Sequence, residues 1–251
     1  MKKCIFILVI LVAFLGCNKE NTNDCFQTTG AIIQKEFSVT NFSRILVNEN
    51  VTLVLKDEPT TKVVIETGKN LLSDIEVEVV DGQLILSDNN GCNNFRSFGT
   101  TVAYVSSPNI TELRTASQHE IRSDGVLGYS SIRLVSEDFN FPDSVTIGDF
   151  RLEVNCQSVS LVFNNLSNCY ISGNTESLNV QYVAGNGRFE GRDLLANSVT
   201  INHRGSNDII VNPQVVLRGT IRSVGNVISY NRPETVEVEE IFNGRLIFRE
   251  D

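Results

Sequence analysis

Acidic and basic side chains recur in the polar turns of the second half of this 251-residue chain. Aspartates clustered with lysine or arginine, often around calcium, can cleave polysaccharides, so a polysaccharide-active enzyme is one hypothesis. The candidates are Asp138, Asp143, Asp149, Asp193 and Asp208, with Arg151, Arg188, Arg192 and Arg204. Charged residues spread through turns are usually solvated surface, and this is the interpretation that we favour.

His203, in the segment TINHRGSND, has Asp208 nearby and is a candidate general base. No nucleophile or oxyanion-binding group accompanies this pair in the sequence, so we predict that His203 is a surface turn residue. The sequence has no HExxH, GxSxG or phosphate-loop motif. We therefore expect no catalytic site, no bound metal and no cofactor.

The first 17 residues have the order of an export signal: a basic start, an apolar run, and a small residue before a cysteine. The apolar run is about a dozen residues, fewer than the roughly 20 of a membrane-spanning helix. We predict a signal peptide at residues 1–16, either an ordinary secretory one or a lipoprotein one. The segment FLGC resembles the bacterial lipobox. That resemblance implies that Cys17 becomes the amino terminus and carries acyl chains, which anchor at about 0.8 kcal/mol per buried methylene.

Residues 17–24 comprise this cysteine and a polar segment typical of a flexible tether. Lys19-Glu20 weakly resembles the export signal of surface lipoproteins in the Bacteroides group. We expect an outer-membrane lipoprotein of a Gram-negative bacterium, exposed at the cell surface. The formal net charge of −9 argues against nucleic acid or an anionic membrane surface as a partner.

Four cysteines follow the tether, and an oxidising compartment allows such residues to form disulfides. They are Cys25, Cys92, Cys156 and Cys169. We expect a bridge between Cys25 and Cys92, because each lies at an edge of the amino-terminal strand block. Cys156 and Cys169 either pair with each other or remain free, buried thiols. No cysteine or histidine spacing matches a metal site.

Apolar and polar residues alternate through residues 37–88, as in DIEVEVVDGQLILSD, and this pattern indicates β-strands. Asp81-Gly82 separates two alternating runs and predicts a tight hairpin turn. We assign residues 25–105 to an amino-terminal strand block within a single all-β domain of residues 25–251.

Apolar markers recur at intervals of about 20 residues through residues 106–233, which predicts a β-solenoid. One series is Leu113, Ile132, Leu152, Leu178, Val199 and Leu217, and a second is Ile171, Phe189, Ile209 and Val227. Gly and Asn between them favour sharp corners, because both adopt left-handed backbone conformations. An antiparallel sandwich also contains many short strands, but it does not require a near-fixed period.

Residues 234–251 contain Asn243-Gly244 between two alternating runs, which is a strong hairpin signal. We predict that this hairpin caps the open end of the solenoid. Such a cap would protect the last strands from pairing with other chains.

The repeat corners resemble those of a known family. The segments GNGRFEG, RGSNDIIV and GNVISY are similar to the head GIN domain of putative autotransporter adhesins. Gly225, Val227, Tyr230 and Pro233 match that family's closing Gly-x-Val-x-Tyr-x-Gly-x-Pro pattern with shifted spacing. The resemblance covers roughly residues 37–248 and implies an exported, β-helix-like domain that acts as an adhesin.

Two smaller features concern the surface. Ser144, in the tripeptide Asp-Ser-Val, resembles the O-glycosylation motif of Bacteroides-type bacteria, although a tripeptide often matches by chance. Sugars can stack on exposed tyrosines, but ordinary packing is the interpretation that we favour for them. These tyrosines are Tyr129, Tyr170, Tyr182 and Tyr230.

Three hypotheses about function remain. The leading one is a noncatalytic lipoprotein that binds host or matrix protein, or glycan, through a solenoid face. The second is the polysaccharide-active enzyme, which an Asp/Arg cluster on one face would favour and dispersed acids would oppose. The third is an envelope structural or sensing protein without an external ligand.

Overall fold

A computed structural model of the protein describes residues 25, 27–93, 96–97, 99–139, 142 and 144–249. The signal peptide, Cys17 and the tether lie outside these residues. Seventeen strands form one sheet that nearly closes on itself, and the described residues contain no α-helix, which confirms the all-β class. A 3₁₀ turn occupies Leu72–Asp74. Within the described part of the chain, no helix has the length and apolar character needed to cross a membrane.

The strands are β1 (Ile32–Phe37), β2 (Arg44–Val47), β3 (Val51–Asp57), β4 (Lys62–Gly68), β5 (Ile75–Val80), β6 (Gln83–Asp88), β7 (Thr101–Ser107), β8 (Glu112–Thr115), β9 (Ile121–Leu127), β10 (Ser131–Ser136), β11 (Phe150–Phe163), β12 (Cys169–Tyr182), β13 (Phe189–His203), β14 (Ile209–Ile221), β15 (Val227–Ser229), β16 (Thr235–Glu240) and β17 (Leu246–Phe248).

Strands β11 to β14 each pair in parallel with the strand that follows in the chain. Leu178 on β12 pairs with Val199 on β13, which pairs with Leu217 on β14. Phe189 and Ile209 belong to a second row on β13 and β14. These rows account for the repeat from β12 to β15, because the apolar markers of neighbouring strands lie beside each other there.

Each of β11, β12 and β13 also bends near its middle. The alternation of buried and exposed residues slips there by one position, so the two halves of a strand face in different directions. Gly173, shortly before the slip of β12, has φ +108°, and a Cβ on it would approach Val154 O to 2.0 Å. Gly219, further along β14, has φ +136°, and its Cβ would lie 1.9 Å from Ile201 O. Both positions therefore require glycine.

The core lies between the two halves of these strands, and one column of it consists of rings. The ring centroids are 5.2 Å apart for Phe150 and Phe163, 5.4 Å for Phe163 and Tyr182, and 6.4 Å for Tyr182 and His203. All four side chains are fully buried. The Tyr182 hydroxyl donates to Arg188 O at 2.9 Å, so its buried polar atom has a partner.

The amino-terminal block continues the same sheet with a different strand order. β2 lies between β6 and β8 and pairs in parallel with both, so that Arg44 pairs with the distant Glu112. β1 and β4 are antiparallel. β5 and β6 form an antiparallel hairpin through Asp81 at φ +49° and Gly82 at φ +73°. This confirms the hairpin turn predicted there, because a two-residue turn with positive φ at both positions matches the twist of paired strands.

The last two strands differ from the prediction. β16 pairs in parallel with β14, and β17 pairs in parallel with β15. The predicted capping hairpin at Asn243-Gly244 is therefore wrong. The turn instead follows a repeat corner: Gly244 N donates to Ser223 O at 2.8 Å, and a Cβ on Gly244 would lie 2.1 Å from Gly225 O. Asn-Gly marks both kinds of turn, so the local pattern did not separate them.

Cys25 and Cys92 form a disulfide, which is the pairing favoured on sequence grounds. The bond joins the segment before β1 to the loop after β6. Cys156 and Cys169 are free and buried. Cys156 pairs in register with Thr175 and Cys169 with Phe150, so the two thiols lie in different rows of the sheet.

Candidate binding groove

The first halves of β11 to β13, together with the ends of β14 and β15, expose aromatic and charged side chains on one side of the sheet. We call this surface the tyrosine face. Its members used below are Arg151, Tyr170, Glu190, Arg192 and Tyr230. Arg151, Tyr170 and Glu190 are direct register partners on three neighbouring strands. They lie in one row because the strands pair in parallel.

A groove of about 400 Å³ crosses the tyrosine face. Its polar wall is formed by Arg151, Glu153, Tyr170, Ser172, Glu190 and Arg192. Asp193 also lines it, and it is the one sequence-predicted aspartate found there among the described candidates. An aromatic ring beside donors and acceptors in one concave surface is a common arrangement for ligand recognition.

Two arginine–tyrosine stacks order this face. Arg151 Cζ lies 4.0 Å from the centroid of the Tyr170 ring, and Arg192 Cζ lies 4.5 Å from that of Tyr230. A guanidinium over an aromatic face is attracted by the ring quadrupole. The stacks therefore fix both rings while leaving them partly exposed.

Carboxylates hold the arginine of the first stack. Arg151 Nε lies 3.5 Å from a Glu120 oxygen, and Arg151 Nη2 lies 3.6 Å from an Asp149 oxygen. Glu190 accepts a hydrogen bond from Arg188 at 2.9 Å. The groove thus carries charges of both signs, and it presents oriented polar groups rather than a field of one sign.

The second halves of β11, β12 and β13 form a contrasting surface, which we call the neutral face. Nine outward positions on it carry uncharged side chains. They are Ser158, Ser160, Val162, Ser177, Asn179, Gln181, Ser198, Thr200 and Asn202. The neutral face offers a matched surface without tyrosine or charge on the same strands.

Several proposed catalytic residues belong instead to a ladder of hydrogen bonds at the repeat corners. Asp149 Oδ1 accepts from the backbone and side-chain N–H groups of Asn168, both at 3.0 Å. Asp208 Oδ1 accepts in the same way from Asn226, at 3.3 and 3.2 Å. Arg188 Nη1 lies 3.6 Å from Asp208. These side chains satisfy backbone groups where the chain turns, which is a structural role.

The remaining candidates are dispersed. Asp138 accepts from the Asn164 amide at 2.6 Å, and the backbone N–H of Arg204 donates to Tyr182 O at 2.7 Å. Asp143 lies outside the described residues. Among the described residues, no three His, Cys, Asp or Glu side chains come together as metal ligands would.

His203 is not the surface turn residue that we predicted. It is fully buried at the end of the ring column, and its Nδ1 accepts from Gly205 N–H at 3.3 Å. Burial lowers the pKa of this imidazole, although Asp208 opposes the shift. A ring without solvent access cannot reach a substrate, so the proposed base pair with Asp208 does not form a site.

The two free thiols are equally inaccessible. Burial raises the pKa of Cys156 to about 11, and its Sγ lies 3.5 Å from Leu127 O as a hydrogen-bond donor. Burial also raises the pKa of Cys169. Both remain protonated near neutral pH, and a thiol is a much weaker nucleophile than a thiolate.

A second recess, of about 420 Å³, lies near β3 and β6 and contains Ser144 in its wall. Its amides serve the fold: Asn48 donates to Ser87 Oγ at 2.8 Å, and Asn50 donates to Asp88 O at 3.2 Å. It has no aromatic lining residue. We therefore favour the tyrosine-face groove, and glycosylation of Ser144 stays a prediction.

The four tyrosines separate into two groups. Tyr129 and Tyr182 are buried, so packing explains them as predicted. Tyr170 and Tyr230 remain partly exposed beneath arginines. Sequence reasoning missed this stacking, yet a signal existed, because Arg151 and Tyr170 lie one repeat apart and pair in register.

Several solved structures have the same fold. A putative adhesin from Bacteroides fragilis is 17% identical with a TM-score of 0.74, over 88% of this chain and 99% of that one. A putative lipid-binding protein from Parabacteroides distasonis is 14% identical with a TM-score of 0.63, over 89% and 99%. A putative adhesin from Parabacteroides merdae is 15% identical with a TM-score of 0.58, over 89% and 98%.

No curated protein matches the sequence significantly. A family model does match, over residues 41–233, and it describes a putative auto-transporter adhesin, head GIN domain. This span contains the whole tyrosine-face groove and most of the sheet. The chain belongs to the head GIN domain family of putative autotransporter adhesins.

Proposed function

We propose that this protein is a noncatalytic adhesin held at the outer membrane by a lipid on Cys17, and that the tyrosine-face groove binds host or matrix protein, or glycan. The observation that carries the proposal is the pair of arginine–tyrosine stacks beside the groove. Rings fixed by guanidinium groups lose little conformational entropy when a ligand packs on them. Family membership supports the same reading.

We further propose that the parallel rows are the coils of a β-solenoid. The register supports this, since Phe150, Cys169, Phe189, Ile209 and Val227 lie in one continuous row. A solenoid repeats its outward positions at fixed spacing. An extended ligand could therefore contact equivalent positions on successive coils.

The binding proposal is tested on residues 18–251, secreted with the disulfide intact, against arrays of matrix proteins, glycans and lipid vesicles. The vesicles are included because one structural relative is named a lipid-binding protein. Tyr170→Ala combined with Arg192→Ala should reduce binding at least tenfold. The matched control, Asn179→Ala with Gln181→Ala on the neutral face, should leave binding unchanged.

Loss of binding in the neutral-face variant instead would place the site on that surface. Absence of saturable binding to every class would contradict the adhesin role and favour the envelope structural or sensing protein. The polysaccharide-active enzyme has less support, because its candidate acids are divided among the corner ladder, the groove and isolated positions.

The anchor is tested separately. Acyl labelling of cells should modify the wild-type protein and leave Cys17→Ala unlabelled, and equal labelling would contradict lipidation at Cys17. Protease treatment of intact cells should cleave a surface-exposed domain. Full protection would place the domain in the periplasm.

A further inference from the structure

The last strand on the neutral side of the sheet has an unpaired edge. β16 pairs on one side with β14, and no strand of the described residues pairs with its other side. Ile241 N donates to Ile221 O at 2.8 Å. Because backbone groups of alternate residues point to opposite sides in a parallel pair, those of Val236 and Val238 point away from β14.

The neighbouring edge of β17 is partly covered by a side chain. Arg249 N donates to Ser229 O, which directs the backbone N–H of Leu246 to the outer edge. That N–H donates to Glu240 Oε1 at 2.7 Å. Of the two final strands, β16, with 6 residues against 3 in β17, therefore offers more backbone groups for another strand.

The core rows also end uncovered at β16. Val236 continues the row of Leu217 and is 38% exposed, whereas Leu217 is fully buried. Val238 continues the next inward position and is only partly buried. An additional strand would cover both valines if it placed apolar side chains beside them.

The outward-facing residues of β16 determine which charge is favourable on an added strand. Glu237 and Glu239 alternate with the valines and are exposed. Glu234 precedes the strand and is also exposed. In a paired strand, opposite charges beside these glutamates are favourable and like charges are unfavourable.

The same rule argues against a second copy of this chain as the occupant. The strand at the other end of this side of the sheet is β5, which exposes Glu76 and Glu78 between apolar residues. Stacking two copies end to end would place these glutamates near Glu237 and Glu239. Pairing two β16 edges would also bring glutamates together.

We propose that the open edge of β16 accepts an extended segment of a partner protein as an added strand, with basic residues alternating with apolar ones. Its apolar side chains cover Val236 and Val238, and its lysines or arginines lie beside Glu237 and Glu239. Backbone hydrogen bonds supply affinity and the side-chain alternation supplies specificity, as in other cases of strand addition. This site is remote in sequence from the groove and does not depend on it.

The test measures fluorescence anisotropy of labelled peptides with residues 18–251. The probe alternates lysine and valine, and its matched peptide alternates glutamate and valine. The wild-type protein should bind the lysine peptide at least tenfold more tightly than the glutamate peptide. Glu237→Lys with Glu239→Lys should reverse that preference, and these exposed side chains contribute little to folding.

Two controls separate strand addition from attraction to an acidic surface. A lysine peptide with methylated backbone nitrogens on the pairing side should lose at least tenfold in affinity, and unchanged binding would overturn the proposal. Glu76→Lys with Glu78→Lys, on the opposite edge, should leave lysine-peptide binding intact, and loss of binding there would move the site to β5. The wild-type protein could instead dimerise, and Glu237→Lys with Glu239→Lys could abolish the dimer. That result would identify a second copy of the chain as the occupant of the β16 edge and would also overturn the proposal.

Discussion

The amino-terminal block and the strands from β11 onward belong to one sheet, but the chain reaches the two parts differently. From β11 to β14, each strand pairs with the next one in sequence. In the block, Val51 pairs with Thr101 and Arg44 with Gln83, and antiparallel pairs mix with parallel ones. Distant pairing closes long loops at an entropic cost, so the block depends more on a cross-link and the repeats depend more on local packing.

The largest effect should come from removing the cross-link. Cys25→Ser with Cys92→Ser should lower the free energy of unfolding by about 4 kcal/mol, because the bond spans 67 residues. Urea denaturation measures the loss. Hydrogen exchange should accelerate in β1 to β7 and remain slow in β12 to β14, and uniform acceleration would contradict the difference between the two parts.

A glycine substitution tests whether the repeats depend on close local packing between neighbouring strands. Gly219→Ala should cost about 3 kcal/mol, because alanine there is strained at φ +136° and its Cβ would clash with Ile201 O. Gly82→Ala is the control: it has positive φ but nothing within 4 Å of a Cβ, so about 1 kcal/mol is expected. If urea denaturation gave the same loss of unfolding free energy for both variants, close approach between the strands would not explain the requirement for glycine at position 219.

Removal of one hydroxyl group from the column of buried rings should lower the stability of the fold. Tyr182→Phe should lower the free energy of unfolding by about 1 kcal/mol, because it leaves Arg188 O without its hydrogen bond from the buried hydroxyl. Thermal denaturation together with exchange at β12 and β13 measures the change. An unchanged or raised stability would mean that water or backbone movement replaces the bond.

Acid sensitivity gives the smallest expected effect. Burial lowers the pKa of His203 below its ordinary value of 6.5, so the unfolded chain takes up a proton more readily than the folded one. The contribution of the neutral His203 to the free energy of unfolding should therefore be present above about pH 6.5, and it should be lost as the pH falls below that value. Burial lowers the pKa of His119 in the same direction.

Urea denaturation between pH 7.5 and 5.5 measures this dependence. His203→Leu should flatten it in part, and the residual slope should come from His119. If His203→Leu left the pH dependence of the unfolding free energy unchanged, the acid sensitivity would come from other groups.

The sequence allowed the all-β class, the hairpin at Asp81-Gly82 and the rows around Val199 to be predicted, because alternation, turn residues and period are local signals. Other markers do not pair as the period predicts: Leu113 pairs with Leu134, two residues from Ile132, and Leu152 pairs with Ile171 rather than Leu178. The longer connection between β10 and β11 extends the period at that point, because Ile132 pairs with Val159 rather than Leu152. Local patterns do not reveal which distant strands pair, and this is why the strand order of the block was not predicted.

The groove could be predicted only in part. Arg151 and Tyr170 lie one repeat apart, so a register argument would have placed them together. Arg192 stacks on Tyr230 across a greater distance along the chain, which depends on side-chain direction as well as register. The prediction for His203 was wrong because a polar residue in a turn-like segment is usually exposed, whereas this one is buried at the end of the ring column.

The disulfide also determines how this domain bears mechanical load. A pull on residues before Cys25 passes through the bond to Cys92, so the chain between the two cysteines, which are 67 positions apart, cannot be extended by the force. β1, an antiparallel edge strand held by β4 alone among the described strands, is thereby spared from being unzipped one hydrogen bond at a time. Force would enter instead beyond β6 and reach β7, which pairs with β3 on one side and β4 on the other, so two rows of hydrogen bonds must break before that strand is released.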